Sequence, residues 1–321
     1  MLIYSGYASV YGRGHYKSFD GKNFDYPNSC PNILVSMKGF TILTDKKHCT
    51  GENCFMDVVV AYRGNQVKIS QHKVNQFDVK INSVNSTLPH VSEKGFRVSQ
   101  SSTLFVKFES TDGINIFWDG KTRLYVKVSS KYNNLLSGLA GNFNGKTIDD
   151  FVTPSGDLSH SDIDFGNSWL VPDMDCPKLS TGLKLTPCEE NHQNAYQAEE
   201  KCNIINSEML KSCHNVLDPT AYFENCKQDV CGCGSKGQDC LCGVLAAYAS
   251  DCAIQGMEIN GWRKAAGCRK CQHTILFSSI IILQLFLYVQ IIDITFAPKV
   301  FVTDTTSSAV NDIIAYVLFE F

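Results

Sequence analysis

The sequence predicts a mainly β protein: an antiparallel β-sandwich followed by a small disulfide-rich helical module. Three observations predict it. Apolar and polar residues alternate in short runs between residues 15 and 128, turn signals separate those runs, and the cysteines crowd into one stretch behind them. The chain has 321 residues, 44% of them hydrophobic, enough for one or two domains with cores. With 29 basic and 32 acidic residues and a net charge of -3, it carries no electrostatic footprint for nucleic acid or for an anionic membrane surface. The same composition excludes wholesale disorder.

The alternating runs are Val67-x-Ile69, Phe77-x-Val79-x-Ile81, Leu104-x-Val106-x-Phe108, Ile114-x-Ile116 and Leu124-x-Val126-x-Val128. Between them lie Arg63-Gly64-Asn65, Asn82-Ser83, Glu93-Lys94-Gly95, Thr111-Asp112-Gly113 and Asp119-Gly120, all turn-forming combinations. Period-two alternation at this spacing describes half-buried antiparallel strands. Ser137–Phe151 breaks the pattern; its Gly, Asn and Asp content makes it a loop. Ser168-Trp169 closes the block, with the indole expected to pack on the sandwich. Residues 177–190, with two prolines, read as a linker.

From Asn194 to Cys268 the pattern becomes helical. Ala195, Ala198, Cys202 and Ile205 share one helical face. Asp218-Pro219-Thr220 starts a second helix, with Asp as cap and Pro near the first turn, and Cys242–Cys252 forms a third. Such helices are short for a large core, so cross-links must carry much of the stability. Of the 15 cysteines, three precede residue 176 and twelve fall within 176–271. That density reads as a disulfide-stapled extracellular or lumenal protein. Zinc is the alternative, but no CxxC…CxxC pair occurs, only an isolated Cys268-x-x-Cys271.

Both ends depart from a simple secreted domain. The N-terminus lacks a cationic start followed by an apolar run, so the chain reads as a piece of a larger secreted protein. Residues 274–292 are 19 uncharged residues that would span roughly 28 Å as a helix, close to a hydrocarbon core. Two readings stand side by side: a transmembrane helix, with Arg269 and Lys270 on the unfavourable flank, or an aberrant extension without selected structure. Residues 293–321 form a tail of unknown structure.

Two sets of motifs resemble known modules. His15-Tyr16-Lys17-Ser18-Phe19-Asp20-Gly21, Tyr26-Pro27-x-x-Cys30, Gly138-Leu139-Ala140-Gly141-Asn142-Phe143-Asn144-Gly145, Asp149-Asp150-Phe151 and Ser168-Trp169 resemble the von Willebrand factor type D domain. Cys202-Asn203-Ile204-Ile205, Cys213-His214, Val216-x-Asp218-Pro219, Tyr222-x-x-x-Cys226, Cys231-x-Cys233 and Ala246-Ala247-Tyr248 resemble the eight-cysteine module that follows such domains. The resemblance covers about residues 8–268 and implies a type D domain over 8–176 and an eight-cysteine module over 188–268, as in mucin-, zonadhesin- and tectorin-like extracellular glycoproteins.

The resemblance implies the pairs Cys30–Cys176, Cys49–Cys54, Cys188–Cys231, Cys202–Cys226, Cys213–Cys252, Cys233–Cys240 and Cys242–Cys268, leaving Cys271 over. Family cysteines are replaced by Ala8 and Ala140 at one pair, and by Ser137 and a residue near Gly39 at another. Both ends of each cross-link are lost together, so no orphan thiol results. Gly12-Arg13-Gly14-His15 stands where some members have an acid-labile Gly-Asp-Pro-His, so self-cleavage is not expected. Gln238 stands nearest the cysteine that links multimerising members, so no covalent multimer is expected through that route.

No Ser, His and acid grouping is motivated by the sequence, and His15 reads as a structural strand residue, so no enzyme is expected. The loop at 142–150 is the competing chemistry. Asn142, Asn144 and Lys146, the last through its carbonyl, are spaced i, i+2, i+4 and followed by Asp149 and Asp150. Alternating oxygen donors around a glycine suit a hard cation; on composition alone a solvated polar turn fits equally. The resemblance favours Ca²⁺, with Asp20 joining from the first strand. Asn85-Ser86-Thr87 is the one N-x-S/T sequon with a non-proline middle, a glycan acceptor on a loop. Two function classes follow. One is a non-enzymatic structural and adhesive module of a secreted or cell-surface matrix or mucus-like glycoprotein, with other extracellular proteins as partners. The other is a lipid-transport module of the vitellogenin kind, against which the eight-cysteine module counts.

Overall fold

The computed structural model describes residues 5–50, 53–73, 76–102, 104–172, 176–180, 186–190, 192–234 and 237–268. Fourteen strands are described: β1 (Gly6–Tyr11), β2 (His15–Lys17), β3 (Asn23–Asp25), β4 (Asn32–Met37), β5 (Phe40–Thr50), β6 (Asn53–Tyr62), β7 (Asn65–Lys73), β8 (Gln76–Ile81), β9 (Val84–Ser86), β10 (His90–Ser92), β11 (Phe96–Gln100), β12 (Val106–Ser110), β13 (Ile114–Trp118) and β14 (Leu124–Val128). They form an eight-stranded sheet in the order β10-β11-β12-β13-β14-β1-β2-β3 and a six-stranded sheet in the order β4-β5-β6-β7-β8-β9. Every described pairing within these sheets is antiparallel.

Alternation explains the core. Phe40, Ile42, Val58, Val60, Val67 and Ile69 come from one sheet and Val10, Phe108, Ile116, Trp118 and Val126 from the other, each at most 2% exposed. Burying a side chain of this size contributes about 1.5–3 kcal/mol. The turn signals sit at the hairpins. Arg63-Gly64 and Asn82-Ser83 are two-residue connections with both residues at positive φ, the geometry that matches strand twist. Trp169 joins this core and donates its indole N–H to the Val152 carbonyl at 3.3 Å.

Three details differ from the sequence reading. The sheet begins at Gly6, because β1 pairs with β14 from the far end of the sandwich. A helix, α1 (Asp162–Ser168), precedes Trp169; seven residues are too few for a readable period, although Ser161 caps it by accepting from Asp164 N. The linker holds one helical turn, α2 (Pro187–Glu190).

The second module comprises α2, α3 (His192–Cys202), α4 (Lys211–His214), α5 (Thr220–Gly232), α6 (Gly237–Ile254) and α7 (Trp262–Ala265). Asp218 Oδ1 accepts from Thr220 N and Oγ1 and so caps α5, with Pro219 in the cap position. Helix α6 is longer at both ends than the cysteine-bounded segment predicted. Five disulfides converge on the last two long helices: Cys188–Cys231, Cys202–Cys226, Cys213–Cys252, Cys233–Cys240 and Cys242–Cys268. Closing chain separations of 24 to 43 residues contributes about 3–4 kcal/mol each in the chain-entropy account. Cys30–Cys176 joins the sandwich to the segment leaving it, 146 residues on.

Candidate functional site

The polar loop is built on a buried turn. Phe143 is held at φ 58° and is only 6% exposed, packing on Phe19 with ring centroids 5.7 Å apart. Its flanking asparagines therefore face outward. Asn142 Oδ1 accepts from Asn144 N at 3.1 Å, and Asn144 Oδ1 accepts from Lys146 N at 2.8 Å, two successive Asx-type closures. Asp20 accepts from Asn144 N at 3.0 Å and from Gly145 N at 2.8 Å, so the segment after β2 is tied to the loop. Asn144 Nδ2 donates to Asp149 Oδ2 at 2.8 Å, and Ser18 Oγ donates to Asp150 Oδ2 at 2.6 Å. Gly141 lies under Asp150; a Cβ there would meet Oδ1 at 2.2 Å.

The structure thus brings Asp20, Asn142, Asn144, Asp149 and Asp150 into one network, with Lys146 joined through its backbone N–H. Burial pushes the Asp150 carboxyl up to about 6; the charge of Asp20 acts in the same direction, against the Ser18 hydrogen bond. Asp149 Oδ1 and Asp150 Oδ1 are buried without a hydrogen-bond partner. Among the described residues no three His, Cys, Asp or Glu side chains are gathered in a metal-holding cluster. What the loop offers is two orphaned carboxylate oxygens, those of Asp149 and Asp150. That donor chemistry fits a hard, oxygen-seeking cation and gives no basis for a soft one.

A second constellation was not readable from sequence. Strand β2 alternates: Tyr16 turns into the sandwich and stacks on Phe24, while His15 and Lys17 turn to the helical module. His15 Nδ1 is 2.7 Å from Asp25 Oδ1 and Nε2 is 3.0 Å from Asp229 Oδ1. Both ring nitrogens face carboxylate oxygens, which only accept, so both must carry protons and the ring is an imidazolium. Burial pushes its pKa down, but Asp229 and Asp25 outweigh that and hold it at about 9. Two residues on, Lys17 Nζ donates to Asp251 Oδ2 at 2.7 Å, and Tyr222 donates to the same oxygen. Asp229 and Asp251, on α5 and α6, are 1% and 2% exposed.

The contact is completed from β1 and the turn after it. Tyr11 stacks on Tyr222 at 5.8 Å and accepts from Asn225 Nδ2 at 2.9 Å. Arg13 donates from its backbone N to Asp229 Oδ1 at 3.3 Å and from Nη1 to the Gly232 carbonyl at 3.0 Å. Gly12 has φ +58°, and a Cβ on it would lie 2.0 Å from Asp229 Oδ2. The pairings with Asp229 and Asp251 span more than 200 residues. The one local signal was Asp251, an acid after the apolar run of α6; Asp229 follows Glu224, Lys227 and Gln228 in α5 and does not stand out.

The remaining predicted residues are placed as follows. Ala8 and Ala140, where family cysteines stand, are 1% and 2% exposed within the sandwich core. Ser137 meets Ser36 through paired backbone hydrogen bonds of 2.7 and 3.0 Å. Gln238 spans to the Ala266 carbonyl at 2.6 Å, near Cys268. Asn85 is exposed and lies in β9, in place of the loop expected for it. The side chains of Cys49 and Cys54, Cys271 and the apolar run 274–292 lie outside the described residues. Among the described residues no helix is long and apolar enough to cross a membrane.

Residues 8–157 match the family model of the von Willebrand factor type D domain, and residues 201–269 match that of the C8 domain. Among curated proteins, the chain is 34% identical to mucin-2 of Mus musculus over 256 residues, covering 76% of this chain and 5% of the mucin. It is 32% identical to mucin-2 of Rattus norvegicus, over 76% of this chain and 16% of that protein. It is 30% identical to von Willebrand factor of Bos taurus, over 84% of this chain and 29% of that protein. The chain therefore spans a small part of the length of the relatives it matches.

Proposed function

Because the chain belongs to the von Willebrand factor type D family, its type D domain being followed by a C8 domain, we propose that it is a non-enzymatic structural and adhesive module of an extracellular mucus-like or matrix glycoprotein. One observation carries the reading. The histidine most open to a catalytic interpretation, His15, is 6% exposed and locked between two carboxylates, Asp25 of the sandwich and Asp229 of the helical module. Such a group holds geometry and has no exposed lone pair for proton transfer to a substrate. The partners are other extracellular proteins or matrix glycoproteins, met by the outer surfaces of a stapled two-module block that does not multimerise covalently through the position of Gln238.

The polar loop supplies a Ca²⁺ site in this reading, with Asp20, Asn142, Asn144, the Lys146 carbonyl, Asp149 and Asp150 as the oxygen donors. The orphaned oxygens of Asp149 and Asp150 support it. A cation there would offset the burial, and the lesser repulsion from Asp20, that keep Asp150 hard to ionise. Binding to the folded state alone stabilises it by RT ln(1 + [Ca]/Kd), about 2.7 kcal/mol at a hundredfold excess over Kd. Chelation is therefore expected to lower the melting temperature of the type D domain, and Asp150→Ala to remove that difference. Identical melting curves with calcium and with chelator in the unmutated protein would refute the site.

The function itself is tested by immobilising the purified chain and passing intact mucin or matrix glycoprotein over it in calcium buffer. Saturable binding that survives His15→Gln and yields no hydrolysed product supports an adhesive module. Turnover of peptide or ester substrates that disappears with His15→Gln would overturn it, as would selective retention of phospholipid in place of protein.

A further inference from the structure

The two sheets end on the same flank. Among the described residues the six-stranded sheet terminates at β9 and the eight-stranded sheet at β10, and only Thr87-Leu88-Pro89 separates them. Both terminal strands are three residues long, and each carries an outward valine: Val84 is 68% and Val91 73% exposed. Ser86 Oγ and His90 Nδ1, 2.9 Å apart, pin the two strands together across the connection. An edge strand offers unpaired backbone N–H and C=O groups, and an apolar edge invites pairing with a second copy. Proteins ordinarily blunt such edges with very short strands, charge, proline or a covering segment, and of these β9 and β10 have the shortness. No lysine, arginine or carboxylate lies between Val84 and Ser92, and Pro89 lies between the strands. The chain's single N-x-S/T sequon lies here instead: Asn85 is exposed in the middle of β9, and Thr87 is exposed just beyond it.

We propose that Asn85 carries an N-linked glycan and that this glycan guards the open flank of the sandwich against edge-to-edge pairing. The donor is an oligosaccharide carried on a lipid diphosphate, delivered by the oligosaccharide transferase of the secretory pathway. The amide nitrogen of Asn85 forms a bond to the anomeric carbon, the bond from that carbon to the diphosphate oxygen breaks, the lipid diphosphate leaves with the electron pair, and the nitrogen loses one proton. A bulky hydrated group on the central residue of β9 denies a neighbouring chain access to that strand and crowds the approach to β10. The inference rests on the extracellular reading, because the donor meets only chains that enter the secretory pathway.

The full chain, secreted from mammalian cells behind an added leader, is digested with an N-glycan-releasing amidase. The expected result is a one-glycan mobility shift, Asn85 converted to Asp in the released peptide, and neither change in Asn85→Gln or Thr87→Ala. Absence of the shift in the unmutated chain overturns the site. For the guard, the unglycosylated protein is made as Asn85→Gln, which leaves an uncharged side chain in β9, and association is followed by size-exclusion chromatography with light scattering. This form is expected to associate, and adding Val84→Lys with Val91→Lys to restore the monomer without a glycan. An Asn85→Gln protein that stays monomeric overturns the guard role while leaving the site standing. Because the leader drives secretion, failure of the adhesive reading in the binding assay does not alter the mobility result.

Discussion

At the scale of single residues, His15 is the position where environment most changes chemistry. Its folded pKa of about 9 lies above the ordinary 6.5. A raised value means that the folded state holds the proton more tightly than the unfolded chain does. The contribution is therefore complete below about pH 6.5 and is lost as pH rises through about 9, a span worth about 3 kcal/mol in all. Denaturant melts of the unmutated protein and of His15→Gln, compared at about pH 6 and about pH 9, are expected to converge as pH rises. A constant gap would mean that folding leaves the ring's pKa unmoved, and a relative gain in stability with rising pH would mean that the ring is held neutral in the fold. Gly12 makes a second prediction. Alanine there combines a left-handed backbone with a Cβ driven into Asp229 Oδ2, so Gly12→Ala is expected to cost more than about 1 kcal/mol. Neither effect was legible in the sequence. His15 reads there as a strand residue, because alternation assigns it a face and says nothing of a carboxylate 214 positions away.

Elements show the opposite balance. The strands of the sandwich and the face of α3 follow from local periodicity, since 2.0 and 3.6 residues are distances the chain itself imposes. Of the four residues grouped by spacing alone, Ala198, Cys202 and Ile205 are fully buried and Ala195 is half-buried against the same cluster. What periodicity missed was short or topological: α1, the helical turn at α2, and β9, where a three-residue strand carries the sequon. The candidate metal loop was legible as a list of oxygen donors, but the grip of Asp20 on the amides of Asn144 and Gly145 is a tertiary fact. Disulfides also act at this scale. Cys202–Cys226 fastens α3 to α5 across 24 residues, with both sulfurs fully buried. The double variant Cys202→Ala with Cys226→Ala is expected to lose about 2–5 kcal/mol and to loosen α3 before the helix pair α5 and α6. Hydrogen exchange resolves this, and equal protection of α3 in both forms would contradict it.

On the scale of the whole molecule, the question is whether two cores behave as one. The sandwich and the helical module each bury their own apolar cluster, and Tyr11 of β1 belongs to the second of them. Across the boundary run His15–Asp229 and Lys17–Asp251, donated by alternate residues of one strand. The two residues that follow Lys17 continue the pattern: Ser18 reaches Asp150 in the loop and Phe19 packs in the sandwich core. Six residues from His15 to Asp20 therefore touch the helices, the core and the polar loop. Removing one partner of a buried pair leaves the other charge uncompensated, at a cost of about 3–5 kcal/mol. That cost is comparable to the stability of a small domain, so intact charges should make the modules unfold together. The expected calorimetric trace is a single transition for the unmutated protein. In His15→Gln with Asp251→Asn it should be two, the disulfide-stapled helices melting last. A double-mutant cycle on His15 and Asp229 should return a coupling within about 0.5–3 kcal/mol, because the second substitution removes the charge that the first had stranded. Additive losses, or two transitions already in the unmutated protein, would mean that the ion pairs merely decorate a contact held by Tyr11 and Tyr222. Substituting Tyr11→Leu, which keeps apolar area but loses the stacking and the Asn225 hydrogen bond, would then be the change that separates the modules.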